Sequence, residues 1–167
     1  PKNDETAAVW YTKAAKRGLA AAQFNLGYMY NVGKGIPQNY KIAVEWYTKA
    51  AEQGFAKAQY NLGYMYDNGD SVPQNRIVAV KWYTKAAKKG FADAQYNLAL
   101  ILSNQGGGLS DDLRAYIWNT LASYNGNKRA SEVKEDLALK LTPAQIMKAQ
   151  DISSLCLGSG YKDCLVE

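Results

Sequence analysis

Apolar and polar positions alternate with a helical period along most of the chain. When Leu62 is placed at zero on a helical wheel, the residues that share its face, within about 100° of one another, are Ala58, Gln59, Gly63 and Tyr66. This face predicts the buried side of a helix over about 56–68. A glycine inside a helix costs about 1 kcal/mol relative to alanine. Gly63 and its equivalent Gly27 therefore indicate a close approach of neighbouring helix backbones.

A second apolar stripe at helical spacing runs through residues 75–89, and its members are Ala79, Trp82, Tyr83 and Ala86. The residues expected to cap this helix and its equivalents are Asn39, Asn75 and Asp111, because a short side chain accepts a hydrogen bond from a backbone N–H of the first turn. Gly33 and Gly69 are expected to end the preceding helices. The pattern predicts pairs of helices joined by short loops.

The helix pairs repeat every 36 residues. The tryptophans that mark this period are Trp10, Trp46, Trp82 and Trp118, and Trp-Tyr-Thr-Lys-Ala-Ala recurs unchanged at 10–15, 46–51 and 82–87. A single helical hairpin cannot bury its apolar face alone, so the hairpins must stack. We therefore expect an all-α fold, a solenoid of helix–turn–helix repeats.

The pattern ends after Gly126. Residues 130–140 still have a helical period, and Thr142 and Pro143 form a second helix start, with threonine at the N-cap and proline at the first helical position. A terminal helix over about 144–157 should cover the last exposed core. We expect a repeat array of about three and a half repeats over 1–126 and capping helices with a tail over 127–167.

Composition removes several classes of chemistry. The chain of 167 residues has no histidine and two cysteines, so neither a Cys/His metal cluster nor a Cys–His nucleophile pair can be assembled. The formal net charge of +5 is modest for a nucleic-acid-binding protein, and no apolar run reaches the roughly 20 residues of a membrane span. We therefore expect no catalysis, cofactor, metal, nucleic acid, membrane insertion or small-molecule substrate.

Residues 3–126 resemble the Sel1-like repeat family, which is related to the tetratricopeptide repeats. The resemblance rests on Ala-x-x-x-Leu-Gly-x-x-Tyr at 58–66, Gly-x-x-x-Pro at 69–73 and Ala-x-x-Trp-Tyr-x-Lys-Ala-Ala-x-x-Gly at 79–90. The third copy departs from the motif at Ala99 and Leu100. The resemblance implies a right-handed superhelix that acts as an adaptor or scaffold for protein partners, in a family often found in bacteria.

The same resemblance implies a concave face opposite Leu62, where a peptide or helix of a partner protein would bind. The candidate contact residues are Phe24, Asn25, Tyr28, Asn31, Lys57, Tyr60, Asn61, Tyr64, Asp67, Asn68, Tyr96 and Asn97. Aromatic residues are enriched at such interfaces. Two alternatives remain open. The aromatic rings could pack against the next repeat, and the asparagines could bond within the scaffold.

Cys156 and Cys164 flank a glycine-containing turn, which favours a disulfide and with it a periplasmic or secreted location. The chain begins just before a helix that is already in mid-pattern, so we expect a piece of a longer protein and draw nothing from the missing signal peptide. The alternative functions are an inhibitor or modulator of an enzyme that uses the convex face or the tail and, with less support, an RNA-binding helical repeat.

Overall fold

The computed structural model describes residues 2–104, 109–162 and 164, and within these residues all regular structure is helical. The helices, in chain order, are α1 (Lys2–Lys16), α2 (Ala20–Val32), α3 (Tyr40–Glu52), α4 (Ala56–Asn68), α5 (Arg76–Ala87), α6 (Ala92–Asn104), α7 (Leu109–Tyr124), α8 (Ala130–Ala138) and α9 (Pro143–Gly158).

The predicted helix starts and ends are largely confirmed. Helix α4 has the predicted bounds, and α5 is shorter than the predicted 75–89 by a turn or less. The side chains of Asn39 and Asn75 each accept a hydrogen bond from a backbone N–H three residues later, at 3.1 Å. Gly33 and Gly69 end α2 and α4 in the left-handed conformation, with φ of 70° and 77°, a conformation that glycine adopts without strain.

The predicted N-cap role of Asp111 is wrong. Helix α7 already includes Leu109, so Asp111 lies in its first turn rather than before it. There the carboxylate forms an ion pair with Arg114, at 3.6 Å. A negative charge in the first turn still interacts favourably with the helix dipole, which explains why an acidic residue suits this position without capping the helix.

The chain divides into two compact units, residues 1–82 and 83–167. In the first unit α1, α2, α3 and α4 pack in chain order, α1 on α2, α2 on α3 and α3 on α4. Its buried residues are largely alanines with Leu26, Tyr47 and Leu62 among them. The close approach predicted at Gly27 is confirmed, because a Cβ there would lie 2.8 Å from the Tyr47 ring and 3.2 Å from the Ala43 carbonyl oxygen.

A ladder of buried glutamines holds α2, α4 and α6 to the end of the helix that precedes each of them. The Nε2 groups of Gln23, Gln59 and Gln95 donate to the carbonyl oxygens eight residues earlier, at 3.2, 3.0 and 3.0 Å. The Gln23 Oε1 also accepts from Gln53, and the Gln95 Oε1 from Asn125. The recurring glutamine is thus a structural element of the repeat.

In the second unit α7 contacts α6, α8 and α9. The predicted start of α9 is confirmed, since Thr142 and Gln145 form a reciprocal capping box with Pro143 at the start of the helix. The Sγ atoms of Cys156 and Cys164 are bonded to each other. Within the loop that this disulfide closes, the Tyr161 ring packs on Gly90 and its hydroxyl accepts a hydrogen bond from Asn125 at 2.5 Å.

Candidate functional site

A cavity with a volume of about 530 Å³ lies in the first unit. We call it the α4 pocket. Helix α4 contributes Asn61, Tyr64 and Met65, and α3 contributes Tyr40 and Tyr47. The residues at the end of α2, in its following loop and in the loop after α4 complete the pocket: Asn31, Val32, Gln38, Gly69, Asp70 and Ser71.

A smaller cavity of about 230 Å³ lies one repeat earlier, and we call it the α2 pocket. Its lining includes Tyr11, Asn25, Tyr28 and Met29, which stand 36 residues before Tyr47, Asn61, Tyr64 and Met65 of the α4 pocket. The repeat therefore builds the same pocket twice, with identical residues at four equivalent positions. One pocket lies between α1 and α2, and the other lies between α3 and α4.

The rims of the two pockets differ in charge. At two equivalent positions the α2 pocket has Asp4 and Lys34, whereas the α4 pocket has Tyr40 and Asp70. Asp4 and Lys34 form an ion pair at 3.4 Å, which neutralises that rim. Among the described residues, no ion pair engages Asp70. The α4 pocket therefore has a negative rim with an additional aromatic ring.

The floor of the α4 pocket contains Tyr47, which is only 1% exposed. Its hydroxyl is buried and, within the described part of the chain, makes no hydrogen bond of acceptable geometry. Burial raises the pKa of Tyr47 to about 12, although the nearby Asn61 side chain acts in the opposite direction. The phenol is protonated at neutral pH, as an ordinary tyrosine is, and its hydroxyl oxygen is closed to solvent.

The equivalent pair in the second unit is bonded. Asn97 Nδ2 donates to the Tyr83 hydroxyl at 3.1 Å, and these residues stand 36 positions after Asn61 and Tyr47. At Asn97 the amide therefore serves the scaffold, one of the two alternatives for the recurring asparagine. At Asn61 the same amide lines an open pocket beside a hydroxyl that lacks such a bond.

The rim of the α4 pocket is held in place by Gln38. Its Nε2 donates to the Asn31 carbonyl oxygen and to the Tyr40 hydroxyl, both at 2.8 Å. The rings nevertheless remain accessible, since Tyr40 is 46% exposed and Tyr64 is 48% exposed. The rim thus presents two aromatic rings to solvent, one of them with an oriented hydroxyl.

The structure brings five of the predicted contact residues into the two pockets. Asn25 and Tyr28 line the α2 pocket, and Asn31, Asn61 and Tyr64 line the α4 pocket. Tyr28 is 47% exposed, nearly the same as Tyr64. These five residues are therefore placed where a partner could contact them.

Phe24 lies instead against the core of the first unit. Its ring centroid is 5.6 Å from that of Tyr47 and 5.2 Å from that of Phe55, both in tilted arrangements. These distances are typical of favourable aromatic pairs. At this position the ring contributes to packing within the repeat over residues 20–55.

Four further predicted residues lie on α4 but outside the pocket lining. Asp67 forms an ion pair with Arg76 at 3.8 Å, and Asn68 Nδ2 donates to the Tyr64 carbonyl oxygen at 3.1 Å. Lys57 is exposed and Tyr60 is half-buried. These four residues are not among those that line the α2 or α4 pocket.

The two remaining predicted residues, Tyr96 and Asn97, belong to the second unit. The Arg129 guanidinium lies over the Tyr96 ring, 5.6 Å from its centroid, in a cation–π contact. With Asn97 bonded to Tyr83, both side chains have partners within the scaffold.

Sequence reasoning missed the residues that α3 and the loops contribute, above all Tyr40, Tyr47 and Asp70. Tyr47 recurs as Tyr11 and Tyr83 in every complete copy, which was a usable signal. The helical wheel assigned it to the core, and its ring is indeed buried. A helical wheel cannot show that a core residue also lines a pocket.

The comparisons agree with this architecture. The sequence profile of the Sel1 repeat matches residues 1–19, 20–55, 56–91 and 92–127. The crystal structure of a Sel1 repeat protein from Oxalobacter formigenes superposes with a TM-score of 0.76 at 29% sequence identity, covering 91% of this chain and 64% of that one.

The SLR-fold protein c5321, a protective antigen present in uropathogenic Escherichia coli strains, superposes with a TM-score of 0.75 at 27% identity. That match covers 95% of this chain and 38% of c5321, so the chain spans less than two thirds of the length of either structural relative. No curated protein sequence matches the chain.

The fold and the pockets define a helical-repeat protein, an all-α solenoid of helical hairpins as predicted. The chain belongs to the Sel1 repeat family. In general terms this family provides protein–protein interaction scaffolds, and its members are generally not catalytic. Within the described residues, none of the helices is long and apolar enough to cross a membrane, and no group of three acidic or cysteine side chains is placed to hold a metal ion.

Proposed function

We propose that this chain binds an extended segment of a partner protein along the α2 and α4 pockets, with Tyr28 and Tyr64 as the anchoring side chains. The observation that carries the proposal is the repetition of the pocket, with identical residues at four equivalent lining positions in two consecutive repeats. A segment with side chains at suitable spacing would place one of them in each pocket.

The chemistry of the pockets suits a polypeptide. Half-exposed tyrosine rings give a large contact area at a small cost in side-chain entropy, and they are enriched at interaction hot spots. The asparagine amides of Asn25 and Asn61 lie beside these rings and provide both donors and acceptors, which a peptide backbone can use.

Charge disfavours nucleic acid as the ligand of this surface. Phosphate contacts need cations that converge on the site. The cation in the α2 pocket, Lys34, is paired with Asp4, and the charged residue of the α4 pocket is Asp70. We accordingly propose a protein partner, with no catalytic step and no cofactor.

The proposal keeps Asn25, Tyr28, Asn31, Asn61 and Tyr64 as contact residues, because these line the pockets. The roles expected for the other positions, which are Phe24, Lys57, Tyr60, Asp67, Asn68, Tyr96 and Asn97, stay predictions.

A pull-down with three baits tests the proposal. The baits are the wild-type chain, the Tyr28→Glu/Tyr64→Glu double variant and the control variant Tyr124→Glu, and retained proteins are identified by mass spectrometry. Tyr124 is a suitable control because it is 73% exposed and lies on α7, outside both pockets. We expect a protein that the wild type and the control retain and the double variant loses.

Circular dichroism must show the same helical content for all three baits. The candidate partner is then titrated by isothermal calorimetry with Tyr64→Ala, for which we expect a loss in affinity of at least about tenfold, as is typical of a hot-spot residue. Equal retention on all three baits would contradict the proposal and favour the alternative of a convex-face or tail interaction.

A further inference from the structure

The two pockets have nearly the same floor but different rims, and this difference defines what each can accept. Among the described residues that line the α4 pocket, Asp70 is the single charged side chain. In the α2 pocket the equivalent position is Lys34, whose charge is paired with Asp4. An acidic rim occurs in one copy and a neutral rim in the other.

The rest of the α4 pocket is rich in hydrogen-bond acceptors and aromatic faces. The side-chain carbonyl oxygens of Asn31 and Asn61 can accept hydrogen bonds. The Tyr40 and Tyr64 rings are about half exposed, and aromatic faces attract cations. An acceptor set of this kind lacks the cationic donors that an anionic ligand would need.

We propose that the α4 pocket binds an arginine side chain of the partner segment, a specificity that rests on the function proposed above and refines it. The guanidinium is planar and carries five N–H donors, so it can stack on a tyrosine ring while it donates to a carboxylate and to further acceptors. Asp70 pairs with the charge, Tyr40 and Tyr64 enclose the side chain, and the Asn61 side-chain oxygen accepts from its N–H groups.

The test is a titration monitored by ¹H–¹⁵N NMR with N-acetyl-arginine methylamide as the probe. N-acetyl-citrulline methylamide is the matched neutral probe, since it has nearly the same shape without the charge. We expect arginine to shift the Asn61 side-chain amide and the Tyr64 backbone amide while the Asn97 side chain stays unchanged. Arginine should bind about fivefold more tightly than citrulline, the size expected for one ion pair with a cation–π contact.

Two variants at one exposed position complete the test. Asp70→Asn should reduce the arginine affinity to that of citrulline, and Asp70→Lys, which introduces the residue found at the equivalent position 34, should abolish arginine binding.

Equal affinities for arginine and citrulline, shifts confined to residues outside the α4 pocket, or an Asp70→Asn variant that keeps the arginine preference would each overturn the inference. None of these results depends on the partner pull-down. A partner lost from the Tyr28→Glu/Tyr64→Glu bait together with a probe that shows no arginine preference would therefore reject the arginine specificity and leave the proposed function standing.

Discussion

At the scale of single residues, the most informative comparison is between two tyrosines that occupy the same place in consecutive repeats. Tyr47 and Tyr83 are both buried, at 1% and 0% exposure. The Tyr83 hydroxyl accepts a hydrogen bond from Asn97, whereas the Tyr47 hydroxyl lacks such a bond within the described residues. The Tyr83 hydroxyl therefore contributes a hydrogen bond to the stability of the fold that the Tyr47 hydroxyl does not contribute.

We expect Tyr47→Phe to leave the free energy of unfolding unchanged or to raise it by up to about 1 kcal/mol, because it removes a buried polar group that is not satisfied. Tyr83→Phe should lower it by about 1 kcal/mol, because the Asn97 amide loses its acceptor. Urea denaturation of both variants at neutral pH measures the difference. A larger loss in Tyr47→Phe than in Tyr83→Phe would show that the Tyr47 hydroxyl has a structural partner.

The raised pKa of Tyr47 also predicts a dependence of stability on alkaline pH. In the folded chain its pKa is about 12, against 10.0 for an ordinary tyrosine. Between these values the unfolded chain has lost this proton and the folded chain retains it. The free energy of unfolding should therefore fall by about 1.4 kcal/mol per pH unit between pH 10 and 12 on account of this group.

Urea denaturation at several pH values from 9 to 12 measures this slope, with Tyr47→Phe as the comparison. The variant lacks the titrating group, so its stability should decline less steeply over the same range. Parallel curves for the two proteins would show that Tyr47 does not titrate differently in the folded and unfolded chain.

At the scale of helices, the close approach of α2 and α3 depends on a glycine inside α2. Gly27→Ala should destabilise the chain by about 1–3 kcal/mol, because its Cβ would overlap the Tyr47 ring. Gly158→Ala is the matched control, since it is also helical and has nothing within 4 Å of the added Cβ. There the change should stabilise by up to about 1 kcal/mol through helix propensity.

Thermal denaturation followed by circular dichroism compares the two alanine variants with the wild type. The melting temperature should fall for Gly27→Ala and stay or rise for Gly158→Ala. A melting temperature of Gly27→Ala that stayed or rose would show that helix propensity rather than the contact with Tyr47 governs position 27.

The glutamine ladder is the other feature that belongs to the scale of helices. Each glutamine donates to a carbonyl oxygen in the last turn of the preceding helix, and this oxygen also accepts from the backbone N–H of the glycine three residues later. This contact joins two helices that are adjacent in sequence, and it explains why a polar residue recurs on an otherwise apolar face.

At the scale of the whole molecule, a disulfide connects the end of α9 to the tail. It joins Cys156 and Cys164, and the loop between them holds Tyr161 against Gly90 and Asn125, residues far away along the chain. Closing a loop of this length should contribute about 2–3 kcal/mol in the chain-entropy account. The tail thus stabilises the unit to which it belongs.

We expect dithiothreitol to lower the free energy of unfolding of the wild type by this amount, measured by urea denaturation with and without the reductant. The Cys156→Ala/Cys164→Ala variant should resemble the reduced wild type and should not respond to dithiothreitol. Transitions of the wild type that superimpose under both conditions would contradict the predicted contribution.

The sequence alone determined the all-α repeat architecture, the bounds of α4 and the caps at Asn39, Asn75 and Thr142. These features depend on short-range effects, namely helical periodicity, turn chemistry and the identity of residues close in the chain. A period repeated three times also makes such signals stronger than they would be in a single copy.

The position of Asp111 shows where local reasoning fails. The sequence signal at a helix start is the same for an acidic residue at the cap and one in the first turn, since both interact favourably with the helix N-terminus. Only the backbone conformation of the preceding residues distinguishes the two, and α7 includes Leu109.

The composition of the proposed binding surface was decided by the tertiary structure. The sequence selected Asn25 and Tyr28 on α2 and Tyr64 on α4 from equivalent helix faces, but the α4 pocket also has Tyr47 and Asp70, which come from α3 and a loop. A pocket is formed by side chains that are distant along the chain, and its charge depends on which of them pair with each other. Sequence periodicity therefore fixed which faces are buried, while packing between helices fixed which polar groups remain available to a partner.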